Sequence, residues 1–416
     1  MPARSPYPAG SDPDLPVHPT TAAPVLPVVG QVHRPFPQFP KPGSESNRLL
    51  MNTKPGGVYY SDYLQLDKLL DAQQPLSGGE AVAPAHDEML FIVVHQAYEL
   101  WFKQILYELR SVIAMFGDDI VDDRQMGRMV ARLERVHSVQ RLLISQINVL
   151  ETMTPLDFMD FRDRLIPASG FQSVQFKEIE ILLGLGRDQR LPADREFIFS
   201  RLGEEDRQRM EQVEAETKLL DVTQAWLERL PFLSFGEFDF WTAYEAAVTR
   251  MLVRDRQIIE KNPTLPDVVR EHQLRELDLT GIRFAALLNA GKFDELREQG
   301  EFRLSHDATL AALFINLYRD EPMLQLPFRY LTALVEIDEL MTSWRQRHAI
   351  MVHRMLGNRI GTGGSSGHDY LSRTTRQNRV FVDLFNLSTF LIPRSELPRL
   401  PDNIVDSMRF RWGWDD

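Results

Sequence analysis

The 416-residue sequence contains no cysteine. Disulfides, zinc–thiolate sites, iron–sulfur clusters, thiolate-ligated haem and a cysteine nucleophile are therefore all excluded. A transition metal would have to be held by His, Asp or Glu, or inside a macrocycle. No apolar run reaches the roughly 18 to 20 residues of a membrane span. The opening MPARSPYPAGSDPD has no apolar secretory core, so a cytoplasmic location is expected. A surplus of basic charge is also missing. Lys and Arg number 47 against 59 Asp and Glu, a formal charge of −12, which argues against a nucleic-acid partner. HExxH and GxxxxGK[ST] are absent, and no βαβ rhythm or internal repeat is found.

Proline is unevenly spread. Residues 1–45 hold 12 of the 26 prolines, among small and polar residues that cannot bury enough apolar surface to offset their ordering entropy. We read 1–45 as a disordered tail, or alternatively as an arm docking through Tyr7, Phe36 and Phe39. Residues 46–416 form the catalytic domain of this reading, with 260–325 as a small helical subdomain.

From about residue 60 the periodicity is helical. Asp87–Phe116 repeats apolar residues at Phe91, Tyr98, Phe102, Leu106, Leu109 and Ile113, and Asp123–Leu150 is a second long amphipathic run. Further helices are expected over 205–230, 241–260 and 265–299. Asp320–Gly357 reads as one long helix, or as two separated near Pro327. The fold class is all-α, with no substantial sheet.

Two of the ten histidines stand out by position. His348 lies eleven residues after Ile337, so at roughly 100° per residue it points within about 20° of it. That is the middle of the stripe formed by Leu340, Met341, Trp344, Met351 and Met355. His353 falls on the opposite side. His95 sits four residues after Phe91 and three before Tyr98, again on an apolar face. Each could be a hydrogen-bonded core residue. One buried His per helix also suits a macrocyclic cofactor with a single axial imidazole.

The stretch TMTPLDFMDFRD (152–163) opens like a capped helix, with Thr154 as N-cap, Pro155 at the first position and Asp157 in the capping-box slot. It places Phe158, Phe161 and Arg162 together. A guanidinium beside aromatic rings suits an aromatic ligand bearing a carboxylate, or a purely structural pairing with Asp160 or Asp163. The loop GTGGSSG (361–367) follows a helix C-terminus, the negative end of the dipole, and so makes a poor phosphate cradle. A linker and a closing lid both remain open.

Several stretches, taken together, closely resemble the tryptophan 2,3-dioxygenase family. They are VYYSDYLQLDKLLDAQQPLS (58–77), HDEMLFIVVHQAYELWFKQILYEL (86–109), LETMTPLDFMDFRDRLIPASGFQSVQF (150–176), WRQRHAIMVHRMLG (344–357) with GTGGSSG, and VFVDLFNLSTFLIPR (380–394). The resemblance spans most of 58–394 and is weaker around 187–215 and 260–310.

That resemblance implies an all-α homotetramer with one haem b per subunit, ferrous when active. It implies insertion of both atoms of O2 across the indole C2–C3 bond of L-tryptophan, giving N-formyl-L-kynurenine, the first step of tryptophan catabolism. By position, His348 is implied as the proximal haem ligand and His95 as the distal residue meeting the indole N–H. Phe91 would pack on the indole, and Arg162 would bind the substrate carboxylate. Gly361 and Thr362 would close over the substrate, and Ser169 would line the distal side. Tyr60 and Tyr63 match residues that complete a neighbouring subunit's pocket, although Ser61 and Asp62 stand between them where family members often carry glycine. A haem monooxygenase, a haem sensor or carrier, and a helical interaction module are the rival readings.

Overall fold

The computed structural model describes residues 57–79, 83–117, 121–186, 202–231, 238–357, 359, 371, 375 and 378–408. Among these, ordered structure is helical and no residue forms a β-strand. The chain divides into two compact units, residues 1–69 and 70–416. In the first unit, the short helix α1 (Tyr60–Leu64) buries none of its residues. Helix α2 (Leu66–Leu70) begins there and is likewise exposed. The proline-rich tail lies outside the described residues.

The second unit is organised by three long helices, α3 (His86–Met115), α4 (Asp123–Leu150) and α13 (Gln325–Leu356). Helix α4 packs along both α3 and α13. The reason is visible in the spacing. Val94, Tyr98, Phe102, Ile105, Leu109 and Val112 fall on one face of α3 and are buried, at the i, i+3, i+4 intervals of a helical stripe. Polar ties cross the same interfaces. The Tyr98 hydroxyl donates to the Leu143 carbonyl at 2.7 Å, and His137 Nε2 donates to the Ala333 carbonyl at 2.9 Å. Helix α4 starts at a capping box made by Asp122 and Gln125, worth about 1 kcal/mol.

Helix α5 (Pro155–Arg162) has the expected start: Thr154 and Asp157 form both capping-box bonds, and Pro155 occupies the first turn. Helix α6 (Val174–Leu183) follows, preceded by a 3-10 turn at Gly170–Gln172. It ends at Gly184, where φ is +128° and a Cβ would lie 2.6 Å from the Leu220 Cβ. Only glycine allows that backbone and that approach.

The expected helix over 205–230 is two, α7 (Glu204–Ala215) and α8 (Leu219–Glu228). Glu216 is extended, and its carboxylate is taken by Arg110 Nε at 3.2 Å. The run 241–260 is α9 (Phe240–Lys261). The run 265–299 is also two helices, α10 (Asp267–Leu287) and α11 (Ala290–Glu298), divided where the Asn289 side chain caps the second. Helix α12 (His306–Leu317) is almost wholly buried. Pro327 does not split α13. It is the third residue of that helix, after the 3-10 turn Pro322–Leu324, where a missing N–H costs no helical bond. Short helices α14 (Val382–Asn386) and α15 (Asp402–Ser407) finish the described chain. Asp338 of α13 staples the approach to α14, accepting the Val380 and Phe381 N–H groups at 2.8 and 2.6 Å.

Candidate functional site

Helices α3, α5, α6 and α13 enclose a cavity of about 240 Å³ whose wall is predominantly apolar. Phe91, His95, Phe158, Ser169, Trp344 and His348 all line it.

Each histidine is set by its own helix. His95 is one turn after Phe91 on α3. Its Nδ1 lies 2.7 Å from the Phe91 carbonyl oxygen, which can only accept, so Nδ1 carries the proton and donates. Nε2 is then an acceptor. The Phe91 and His95 rings are 4.1 Å apart. Burial pushes the His95 pKa below its usual value, opposed by the Phe91 hydrogen bond and the charge of Glu99.

His348 sits on α13 one turn after Trp344, and the two rings stack at 5.0 Å with 19° between planes. Burial, reinforced by His95, lowers its pKa to about 4, so the imidazole is neutral at physiological pH. Its Nδ1 is buried and has no hydrogen-bond partner among the described residues. By accessible surface His348 is half-buried, as expected for a densely surrounded side chain on a cavity wall. His353, off the stripe, is exposed.

An aromatic cluster joins α3 to α5. Phe91 lies 5.7 Å from Phe158 and 5.6 Å from Phe161, and those two are 5.4 Å apart edge to face. Arg162 ends α5, one turn from Phe158. It is half-buried and is not one of the cavity-lining residues. Arg359, just past the end of α13, reaches the Met159 sulfur at 3.1 Å. That side chain links the end of α13 to α5.

Four of the site residues expected from sequence thus meet at one cavity: Phe91, His95, Ser169 and His348. Tyr60 and Tyr63 are exposed on α1, in the other unit. Gly361 and Thr362, with the rest of GTGGSSG, lie outside the described residues.

Sequence reasoning missed a buried ionic group on the same wall. Glu180 of α6 meets Lys177 at 2.9 Å and Arg345 at 2.8 Å, and Arg345 donates to the Asn378 carbonyl at 2.8 Å. Burial alone would raise the Glu180 pKa, but the two cations outweigh it and hold the group at about 2. The available signal was a charged residue at an apolar helical position, which periodicity treats as noise.

An all-α protein with an aromatic-walled cavity between long helices belongs to the class of helical proteins whose ligand sites lie in the bundle core. Comparison with known proteins gives the particular family. The model of tryptophan 2,3-dioxygenase matches residues 45–391. The tryptophan 2,3-dioxygenase of Alteromonas mediterranea is 49% identical over 352 residues, covering 85% of this chain and 97% of that protein. That of Bdellovibrio bacteriovorus is 50% identical, with 85% and 99% covered. That of Xenopus laevis is 48% identical, with 84% and 86% covered. The chain belongs to the tryptophan 2,3-dioxygenase family.

Proposed function

We infer that this chain inserts both atoms of O2 across the indole C2–C3 bond of L-tryptophan, giving N-formyl-L-kynurenine. Family membership supports the reaction. The observation that carries the site assignment is the placement of Phe91, His95 and His348 around one apolar cavity.

The residues present fit a haem. His348 is neutral, and its buried Nδ1 has no partner among the described residues. The wall is predominantly apolar, as suits a porphyrin face. His348 offers a single imidazole, which is what iron held in a macrocycle takes from a protein. His348 is the residue that would hold it, its ring stacked on that of Trp344. The ferrous haem, when bound, supplies the iron that binds O2.

The chain's own side chains do the rest. His95 Nε2 accepts the indole N–H, because its other nitrogen is committed to Phe91. Phe91 packs against the indole ring, within the cluster it forms with Phe158 and Phe161. Arg162 grips the substrate carboxylate, so binding energy fixes the indole in a reactive orientation. A neutral His95 of depressed pKa is a weak base, which suffices because oxygen addition at C2 or C3 can precede loss of the indole proton. Ser169 adds a small hydroxyl to a predominantly apolar wall.

A homotetramer fits the first unit. Val58, Tyr59, Tyr60 and Tyr63 are each 69–76% exposed, an apolar surface of the sort that subunit contacts cover. Light scattering tests it.

The reaction is tested by supplying reduced, haem-loaded protein with L-tryptophan and air and following N-formyl-L-kynurenine. Absence of product, with haem bound and reduced, would sink the reading.

A further inference from the structure

Glu99 is a carboxylate on the cavity wall for which the mechanism above has no use. It stands one helical turn after His95 on α3. Two side chains from the start of α6 donate to it. The Ser173 hydroxyl donates to Oε1 at 2.6 Å, and Gln175 Nε2 to Oε2 at 2.8 Å. The same Gln175 amide donates to the Glu99 main-chain carbonyl at 2.9 Å.

Ser173 is also the N-cap of α6, and its oxygen accepts the Phe176 N–H at 3.3 Å. A hydroxyl has one hydrogen. Because Glu99 takes it, the lone pairs are left to the helix terminus. The turn upstream is braced internally. The Ser169 N–H donates to Gln172 Oε1 at 2.9 Å, and the Gln172 N–H donates back to the Ser169 carbonyl at 2.9 Å. Ser169, Gly170 and Ser173 all line the cavity. The turn is thus a self-contained block, and Glu99 ties it to the helix that carries His95. Bonds to a carboxylate are about twice as strong as neutral ones, which makes this a stiff tie.

We propose that Glu99 is a positioning residue for the oxygenation, locking the 169–173 turn to α3 so that Ser169 and Gly170 keep a fixed place on the cavity wall relative to His95. The role rests on the dioxygenase reading.

The test compares Glu99→Ala, Glu99→Gln, Ser173→Ala and the Glu99→Ala/Ser173→Ala pair. Glu99→Ala should lower kcat by roughly ten- to a hundredfold, the scale of a small misplacement at a reacting site. The tryptophan KM should change by less than kcat, haem content should match the wild type, and the melting temperature should drop modestly with the lost tie. Glu99→Gln, whose amide oxygen still accepts from Ser173, should recover most of the rate. The double variant should fall no further than the worse single one, as for two parts of one tie. An unchanged kcat in Glu99→Ala, additive losses, or a Gln variant no better than Ala would overturn the role. If Glu99→Ala does not fold, Ser173→Ala must reproduce the kcat loss for the role to stand. A wild type that gives no product would overturn the dioxygenase reading and this role with it. An active wild type beside an equally active Glu99→Ala overturns this role alone.

Discussion

The Nδ1–H of His95 is committed to the carbonyl of Phe91, 2.7 Å away and one turn back on the same helix. This bond decides the tautomer, leaving Nε2 as an acceptor at the cavity. The geometry of α3 thus fixes both the position and the chemical character of the group proposed to meet the indole N–H.

His95→Ala should slow turnover without abolishing it. One hydrogen bond to substrate is lost, so kcat should fall by about one to two orders of magnitude. The pH dependence has a definite sign. Burial holds the folded pKa below 6.5, and only the neutral ring accepts. The kcat/KM profile should therefore be flat at neutral pH and fall as pH drops through that lowered pKa. Wild-type kcat in the variant would contradict the role.

His348→Ala should purify without a Soret band, or lose it on gel filtration. His353→Ala is the control: its side chain is exposed, and haem content should not change. Full turnover by a haem-free His348→Ala protein would refute the assignment of the ligand.

Arg162→Ala should raise the tryptophan KM strongly, since a charge-assisted grip on a carboxylate is worth about 1.5–3 kcal/mol, or roughly ten- to a hundredfold. Arg162→Lys should recover part, because the charge stays and the bidentate geometry goes. Unchanged KM and kcat in the Ala variant would remove Arg162 from the substrate site.

Much of this was legible in the sequence. The bounds of α4 follow from its stripe, and the start of α5 follows from Thr154, Pro155 and Asp157, because capping is a local interaction between residues three apart. His348 and His95 could be placed on inward faces by counting turns. The break between α10 and α11 carried a local signal in Asn289, a good N-cap followed by Gly291. The break between α7 and α8 carried none. It has no glycine or proline, and its extended residue, Glu216, is held by Arg110 from 106 positions away. The Lys177–Glu180–Arg345 group left only charged residues at apolar helical positions, with nothing to say what pairs with them. Lys177 and Glu180 share α6, but their stabilising partner arrives from α13, and pairing across the fold leaves no periodic trace.

That ionic group yields a stability prediction. Glu180 has its pKa depressed to about 2 from 4.5, so the folded state binds its proton less readily than the unfolded state. Its contribution is fully present above pH 4.5 and is lost as pH falls toward 2. Arg345→Leu leaves a buried carboxylate with Lys177 as its remaining cation and should cost about 3–5 kcal/mol at neutral pH. Denaturant melts of the two proteins check this. Equal stability would show that the pair contributes nothing net.

A dioxygenase places both oxygen atoms of one O2 in its product. The direct measurement is the product mass from reduced, haem-loaded protein turning over L-tryptophan under isotopically labelled O2. A product carrying two labelled oxygens is the expected result. A single labelled oxygen would contradict it and make the protein a monooxygenase on the same scaffold.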